Sequence, residues 1–203
     1  MRLKNLLQLL ARARAEIGHS EFVVVGSLSI LAMEDVAQIP QDMSMSIDID
    51  TYTLNDPIRI FDLKGLFGEN STYHRDHGFY LDPVSPDLPT LPNGWEGRMH
   101  KIEQNGMAVW FLHPDDAAVS KLARSDENDL RWVRAGVSAR LISPPMVRAL
   151  FKSTRFFDQE EALRAQSQLE QIMQTFEKWP LSPAYPEQKS RNRLSANSLV
   201  GVA

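Results

Sequence analysis

Apolar residues recur along the chain in two periods, one typical of helices and one typical of strands. Near the start, five apolar residues fall on one helix face: Leu3, Leu6, Leu7, Leu10 and Ile17. Gly18 is placed to end that helix. Residues 22–25 are a continuous run of aromatic and β-branched residues, which predicts a buried strand. The first 25 residues therefore predict a helix followed by a strand.

The segment of residues 21–53 organises the rest of the chain. Its apolar strand is broken by Gly26-Ser27, continues as an apolar segment over residues 28–33, and ends in an alternating strand. In that last strand the polar positions include Asp48 and Asp50. The alternate positions are apolar, so we expect them to face the core: Met43, Met45, Ile47 and Ile49.

Beyond this segment the pattern alternates between strands and helices. We predict helical structure at residues 58–67, 117–124, 127–135, 146–152 and about 158–179. We predict strands at residues 79–84, 99–103 and 107–112, with an Asn105-Gly106 hairpin and polar loops at 68–78 and 85–94. The fold class expected is mixed α/β (α+β), with a mixed sheet flanked by helices and a helical C-terminal part.

Length and composition fit one domain with a helical extension. Of 203 residues, 43% are apolar and 24% are charged, which is enough for a sizeable core. We divide the chain into a core at 1–135, a helical part at 136–180 and a mobile tail at 181–203.

Charge and cysteine content exclude several classes of protein. A net charge of −4 gives no global basic field for nucleic acid, and the absence of cysteine excludes disulfides and thiolate metal sites. No stretch is long and apolar enough for a membrane span, and the N-terminus lacks a signal-peptide pattern. A cytoplasmic location with no membrane partner is therefore expected.

The pair Asp48 and Asp50 predicts a metal site. Residues two apart on a strand point the same way, so the two carboxylates would lie roughly 7 Å apart on one face. Two acids on an otherwise buried strand need a cation or access to water. Mg²⁺, or Mn²⁺, suits them, because Mg²⁺ prefers one or two carboxylates together with water and substrate phosphates.

Gly26-Ser27 is a candidate phosphate-binding turn. Glycine permits a tight turn and a close backbone approach, and the amides that follow sit at an expected helix start, where anions are favoured. The Ser27 hydroxyl could add a hydrogen bond to a triphosphate oxygen. The alternative is an ordinary strand-to-helix turn followed by an ordinary strand end.

A Gly-Ser turn followed at this distance by Asp-x-Asp resembles the signature of nucleotidyltransferases in the DNA polymerase β superfamily. The resemblance implies a third acid on a neighbouring strand, and Asp82 is the candidate. That acid would bind the catalytic metal with Asp48 and Asp50, and it would accept the proton of the attacking hydroxyl. The alternative for Asp82 is an Asp-Pro turn opener.

A second block is similar to minimal nucleotidyltransferases of the AbiEii type, found in abortive-infection and toxin–antitoxin pairs. The matching residues are Lys121-Leu122-Ala123-Arg124 and Asp126 with Asp129-Leu130. The resemblance implies that Lys121 contacts the triphosphate and that Asp126 or Asp129 orients the lysine or the base. The chain departs from the family where Glu127-Asn128 replaces a basic residue before the acid, and the alternative for Lys121 is a solvated surface lysine.

The resemblance covers about residues 21–133 and implies a reaction. A nucleoside monophosphate would pass from an NTP to a hydroxyl of RNA, of a protein or of a small molecule, and a cognate antitoxin is an expected partner if the chain is a toxin. Two alternatives stay open. One is a non-catalytic nucleotide- or partner-binding module on the same fold. The other is an interaction protein in which the Asp pair is a solvated strand end.

Overall fold

The computed structural model describes residues 1–34 and 37–175, and within them the chain forms a five-stranded mixed sheet flanked by helices. The strands are β1 (Glu21–Val24), β2 (Asp48–Thr53), β3 (Tyr80–Pro83), β4 (His100–Gln104) and β5 (Met107–Phe111). The α-helices are α1 (Leu3–Ile17), α2 (Gln41–Ser44), α3 (Lys64–Phe67), α4 (Thr72–His77), α5 (Pro114–Arg124), α6 (Glu127–Ser138), α7 (Pro144–Leu150) and α8 (Gln159–Thr175). Short 3-10 helices occupy Ser27–Met33, Pro57–Leu63, Trp95–Arg98 and Phe151–Ser153. The mixed α/β class predicted from the sequence is confirmed.

The sheet is built around β1. Its strand order is β3-β2-β1-β5-β4, in which β1 is antiparallel to β2 and parallel to β5, and β2 is parallel to β3. β4 and β5 form an antiparallel hairpin. Its turn residues Asn105 and Gly106 have φ of 52° and 72°, as the Asn-Gly pair predicts.

The core lies on both faces of β1. Phe22, Val23 and Val24 are fully buried, which explains why this strand is apolar without alternation. Buried leucines of α1 join the same core. α5 packs against α6, α7 and α8. This layer of helices carries the candidate site residues that follow β5 in the sequence.

The strand predicted to begin at Met43 starts later in the structure, so that part of the prediction is wrong. Residues Gln41–Ser44 form α2, Met45 and Ile47 are exposed, and only Met43 and Ile49 reach the core. The carbonyl of Met43 accepts a hydrogen bond at 3.1 Å from Nε1 of Trp132, 89 residues away. A contact between residues so far apart in the sequence cannot be inferred from the local pattern of apolar and polar residues.

The predicted polar loop 68–78 is also wrong in part, because it contains α4. The hydroxyl of Ser71 accepts a hydrogen bond from the His74 amide at 3.1 Å and caps this helix. Gly78, at φ 75°, ends it in the left-handed conformation. Both caps are visible in the sequence, and the polar composition between them hid the helix.

The division into a core at 1–135 and a helical part at 136–180 remains a prediction. The proposed tail at 181–203 and the end of the last helix predicted lie outside the described residues. Within residues 1–34 and 37–175, no helix has the length and apolar character needed to cross a membrane.

Arg98 forms a partly buried ion pair that we expect to stabilise the fold. It donates to the fully buried carboxylate of Asp116 at 2.7 to 3.2 Å. Replacing Arg98 with methionine should lower the free energy of unfolding by about 3 kcal/mol, because Asp116 would keep a buried charge without its partner. The measurement is a denaturant titration.

Arg59 supplies the matched control, since its ion pair with Asp62 at 2.6 Å is exposed on both sides. Arg59→Met should change stability by less than about 1 kcal/mol. Equal losses for the two variants would contradict a stabilising role for the Arg98 pair.

His113 makes the fold sensitive to acid. Burial, then the neighbouring charges of His100 and Arg98, lower the pKa of His113 to about 4. Its ring stacks on His100 with centroids 5.2 Å apart, and its Nδ1 accepts a hydrogen bond from the Asp115 amide, which caps α5. The carboxylate of Asp115 lies 3.9 Å from the same nitrogen.

The unfolded chain takes up a proton at His113 near pH 6.5, whereas the folded chain does so near pH 4. The contribution of His113 to stability should therefore fall as pH drops through this window, by up to about 1.4 kcal/mol per pH unit, whereas the raised pKa of Asp50 acts in the opposite direction over the same range. His113→Asn keeps an acceptor suited to the helix cap but does not titrate, so its stability relative to wild type should rise as pH falls from about 7 to about 4. Parallel curves for wild type and variant, measured by urea titration at a series of pH values, would contradict this account.

Candidate active site

Strand pairing brings three carboxylates together at one face of the sheet. Asp48 and Asp50 lie two residues apart on β2 and so face the same way. In the parallel pairing of β2 with β3, Asp82 lies opposite Asp50. Each of the three side chains offers an oxygen within 4.8 Å of the others. The Ser46 hydroxyl donates a hydrogen bond to Asp48.

The turn after β1 passes directly over Asp50. The amide of Val25 donates to the carbonyl of Asp50 at 3.0 Å, so strand pairing continues to the residue before Gly26. Gly26 has φ 65° and ψ −155°, a region that is essentially restricted to glycine. A Cβ atom at Gly26 would overlap Oδ2 of Asp50. Gly26 is therefore required both for the turn and for the position of the acid.

Two of the carboxylates, Asp50 and Asp82, have a raised pKa. Burial, followed by the charges of Asp48 and Asp82, raises the pKa of Asp50 to about 7. Lys121 and Arg124 act in the opposite direction but do not offset it. Burial and the charge of Asp48 also raise the pKa of Asp82. Among residues 1–34 and 37–175, no cation forms a direct ion pair with these three acids.

This cluster fits a hard divalent cation. Three carboxylates from two neighbouring strands converge. Burial, then the charges of Asp48 and Asp82, raises the pKa of Asp50, and a bound cation would favour its ionised form. Oxygen donors of this kind suit Mg²⁺ or Mn²⁺. The donor set therefore agrees with the metal site expected at Asp48, Asp50 and Asp82.

Lys121 lies in a tight cluster of side chains beside Gly26-Ser27. Its ammonium nitrogen is 2.7 Å from Oδ1 of Asp129 and 2.9 Å from the hydroxyl oxygen of Ser27. It also lies 5.0 Å from the centroid of the Trp132 ring. The side chain is only 4% exposed, so the alternative of a solvated surface lysine is wrong.

Arg124 reaches the same acid from one helical turn further on. Its Nε and Nη2 atoms each lie 2.8 Å from an oxygen of Asp129. Burial would raise the pKa of Asp129, but the hydrogen bonds and charges of Arg124 and Lys121 outweigh it and lower this pKa. Asp129 is therefore held as a carboxylate between two cations.

Trp132 and Ser29 also hold the Gly26-Ser27 turn, through hydrogen bonds to its backbone. Nε1 of Trp132 donates to the backbone carbonyl of Ser27 at 3.2 Å, and the Ser29 hydroxyl donates to the carbonyl of Gly26 at 2.9 Å. A pocket that opens to solvent lies beside the turn. The residues that line it are Val25, Gly26, Asp50, Leu88, Pro89, Leu112, Ala117, Ser120, Lys121 and Arg124.

The structure brings together most of the residues singled out in the sequence. Asp126 has a different place: its carboxylate accepts a hydrogen bond from the Asp129 amide at 2.9 Å and caps α6. Of the two acids, it is Asp129 that forms the ion pair with Lys121. Sequence reasoning gave no role to Arg124 or Trp132. The spacing of Lys121 and Arg124, three residues apart on one helix, could have indicated that both face the same acid.

Comparison with known proteins agrees with this geometry. A family model described as "Nucleotidyltransferase of unknown function (DUF6036)" matches residues 2–179 of the chain. No curated protein and no solved structure matches the chain.

Replacing Gly26 with alanine should disturb both the turn and the acid below it. The new Cβ would overlap Asp50, and φ 65° would be strained, so stability should fall by about 1–3 kcal/mol. Thermal unfolding with increasing MgCl₂ should also show a smaller stabilisation by the metal than in wild type.

Gly65→Ala is the matched control, because a Cβ there would meet no atom within 4 Å. It should leave both stability and the response to MgCl₂ close to wild type. A Gly26→Ala protein with wild-type unfolding and wild-type response would refute the close approach described above.

Proposed function

The chain belongs to a family of nucleotidyltransferases of unknown function, and from this premise we propose that it transfers a nucleoside monophosphate from an NTP to an acceptor hydroxyl. The convergence of Asp48, Asp50 and Asp82 carries the proposal, since their oxygens lie within 4.8 Å of one another beside a glycine turn. The pKa of Asp50, which burial and then the charges of Asp48 and Asp82 raise, adds support, because strongly shifted pKa values are common at catalytic sites.

The three acids are the proposed ligands of Mg²⁺ or Mn²⁺. When bound, such ions would neutralise the triphosphate and favour the attacking oxygen. Gly26 and Ser27 present backbone amides at the start of a 3-10 helix, beside the acids, where the β- and γ-phosphates would lie. Lys121 and Arg124 add positive charge on the pocket side of the turn.

In the proposed reaction the acceptor oxygen forms a bond to the α-phosphorus of the NTP. The bond from that phosphorus to the oxygen bridging to the β-phosphate breaks, and pyrophosphate leaves. Asp82 accepts the acceptor's proton, a role consistent with burial and the Asp48 charge raising the pKa of Asp82.

The motif similarities support a narrower version of the proposal. Gly26-Ser27, Asp48-x-Asp50 and the block beginning at Lys121 resemble polymerase-β-type enzymes, including AbiEii-type toxins. On this basis the protein is proposed as a toxin-like enzyme with a cognate antitoxin. Its acceptor would be RNA, a protein or a small molecule, and an assay on total cellular RNA and protein covers the first two.

Labelled NTPs should transfer label to such an extract in the presence of Mg²⁺. Transfer should fall to background in Asp48→Ala and by about 100-fold or more in Asp82→Asn, since one removes a metal ligand and the other the proton acceptor. Asp62→Asn, on an exposed carboxylate of the Pro57–Leu63 helix, should retain wild-type transfer.

Binding separates this proposal from a non-catalytic module. Mg²⁺ and NTP together should raise the melting temperature of the wild-type protein more than either does alone. A joint rise without transfer to any acceptor would favour the binding module. No rise and no transfer would refute the proposed function.

A further inference from the structure

The two cations beside the candidate phosphate turn differ in how much of their bonding capacity is already used. The ammonium of Lys121 faces Asp129 at 2.7 Å, Ser27 at 2.9 Å and the Trp132 ring at 5.0 Å. An ammonium has three N–H donors, and two of those of Lys121 are used by Asp129 and Ser27. With the side chain 4% exposed, Lys121 offers a ligand little accessible surface.

Arg124 has donors to spare. A guanidinium carries five N–H donors, and Arg124 directs Nε and Nη2 to the oxygens of Asp129. Within residues 1–34 and 37–175, no hydrogen bond engages its Nη1 atom. Its side chain is 60% exposed and lines the same pocket as Gly26 and Asp50.

Asp129 fixes the direction of this guanidinium. Two hydrogen bonds of 2.8 Å to one carboxylate hold the plane of the fork, so the remaining N–H groups are oriented before any ligand arrives. A preorganised planar fork matches two oxygens of a phosphate group, which a single ammonium cannot do. Asp129 therefore acts on the ligand through Arg124 and is a positioning residue.

From these contacts we infer that Arg124 is the side chain that binds the polyphosphate of the nucleotide, while Lys121 braces the Gly26-Ser27 turn from within. This assignment rests on the proposed function and changes the role that the family resemblance implies for Lys121. The ligand class is a polyphosphate chain complexed with a divalent cation, whatever base it carries.

The test uses inorganic tripolyphosphate with MgCl₂ on the full chain, because this probe does not depend on base preference. Calorimetry should show that Arg124→Gln binds about tenfold to a hundredfold more weakly than wild type, as expected for loss of charge-assisted hydrogen bonds. Arg124→Lys should recover only part of the affinity, since it restores the charge without the fork.

Arg131→Gln is the matched control, because Arg131 is a half-exposed arginine of α6 that contacts Asn128 at 2.8 Å. It should bind tripolyphosphate like wild type. Lys121→Met should lower the melting temperature more than Arg124→Gln does, since it leaves both Ser27 and Asp129 without the ammonium.

Wild-type affinity in Arg124→Gln overturns the inference, and so does a Lys121→Met protein that melts like wild type but no longer binds the probe. Failure of the proposed function gives a different result: the wild-type protein binds tripolyphosphate equally well without Mg²⁺, or it transfers no nucleotide. The comparison of Arg124→Gln with Arg131→Gln still tests which side chain binds the polyphosphate.

Discussion

The candidate site depends on one close approach, that of the backbone at Gly26 to the carboxylate of Asp50. β1 and β2 are antiparallel neighbours, and the hydrogen bond from Val25 to Asp50 at 3.0 Å keeps them paired up to the turn. Any Cβ atom at position 26 would occupy the space of the carboxylate. The glycine therefore lets the backbone turn lie against the acidic cluster, an arrangement that suits the proposed binding of a metal–phosphate complex.

The distribution of charge keeps the acidic cluster around Asp50 separate from the two cations, Lys121 and Arg124. If Lys121 were paired directly with Asp50, the acids would be neutralised and their affinity for a cation would fall. Instead Asp129 takes both Lys121 and Arg124, and its own pKa is lowered by them despite burial. Asp50 keeps a pKa of about 7, raised by burial and by its acidic neighbours. The buried Asp129 of α6 thus holds Lys121 and Arg124 in ion pairs of its own, separate from the proposed metal ligands.

Much of this arrangement follows from local sequence. The apolar run before Gly26 gave the central strand, and the alternation at Asp48 and Asp50 gave a shared face, because both depend only on backbone periodicity. The choice of Asp82 as a third acid on a neighbouring strand came from a family resemblance, since strand order is not a local property. Its position opposite Asp50 is seen only in the structure. The hydrogen bond from Trp132 to Met43 could not be predicted, because it joins distant residues through the packing of separate helices. The spacing of Lys121 and Arg124 places both on one helix face, but that Arg124 shares Asp129 with Lys121 depends on how α5 packs against α6. The misplaced start of β2 has the same cause.

The α5–α6 connection shows why a motif can identify a fold without assigning a role. Ser125 ends α5 in the left-handed conformation at φ 58°, and Asp126 begins α6 as its cap. This tight link places Asp129 one turn into α6, within reach of both Lys121 and Arg124. The sequence motif over residues 121–129 would be the same whether Lys121 or Arg124 contacted the ligand, because its spacing is set by the link between α5 and α6. Burial then distinguishes them: the cation enclosed by Ser27, Asp129 and Trp132 supports the turn, and the exposed one is free to meet an anion.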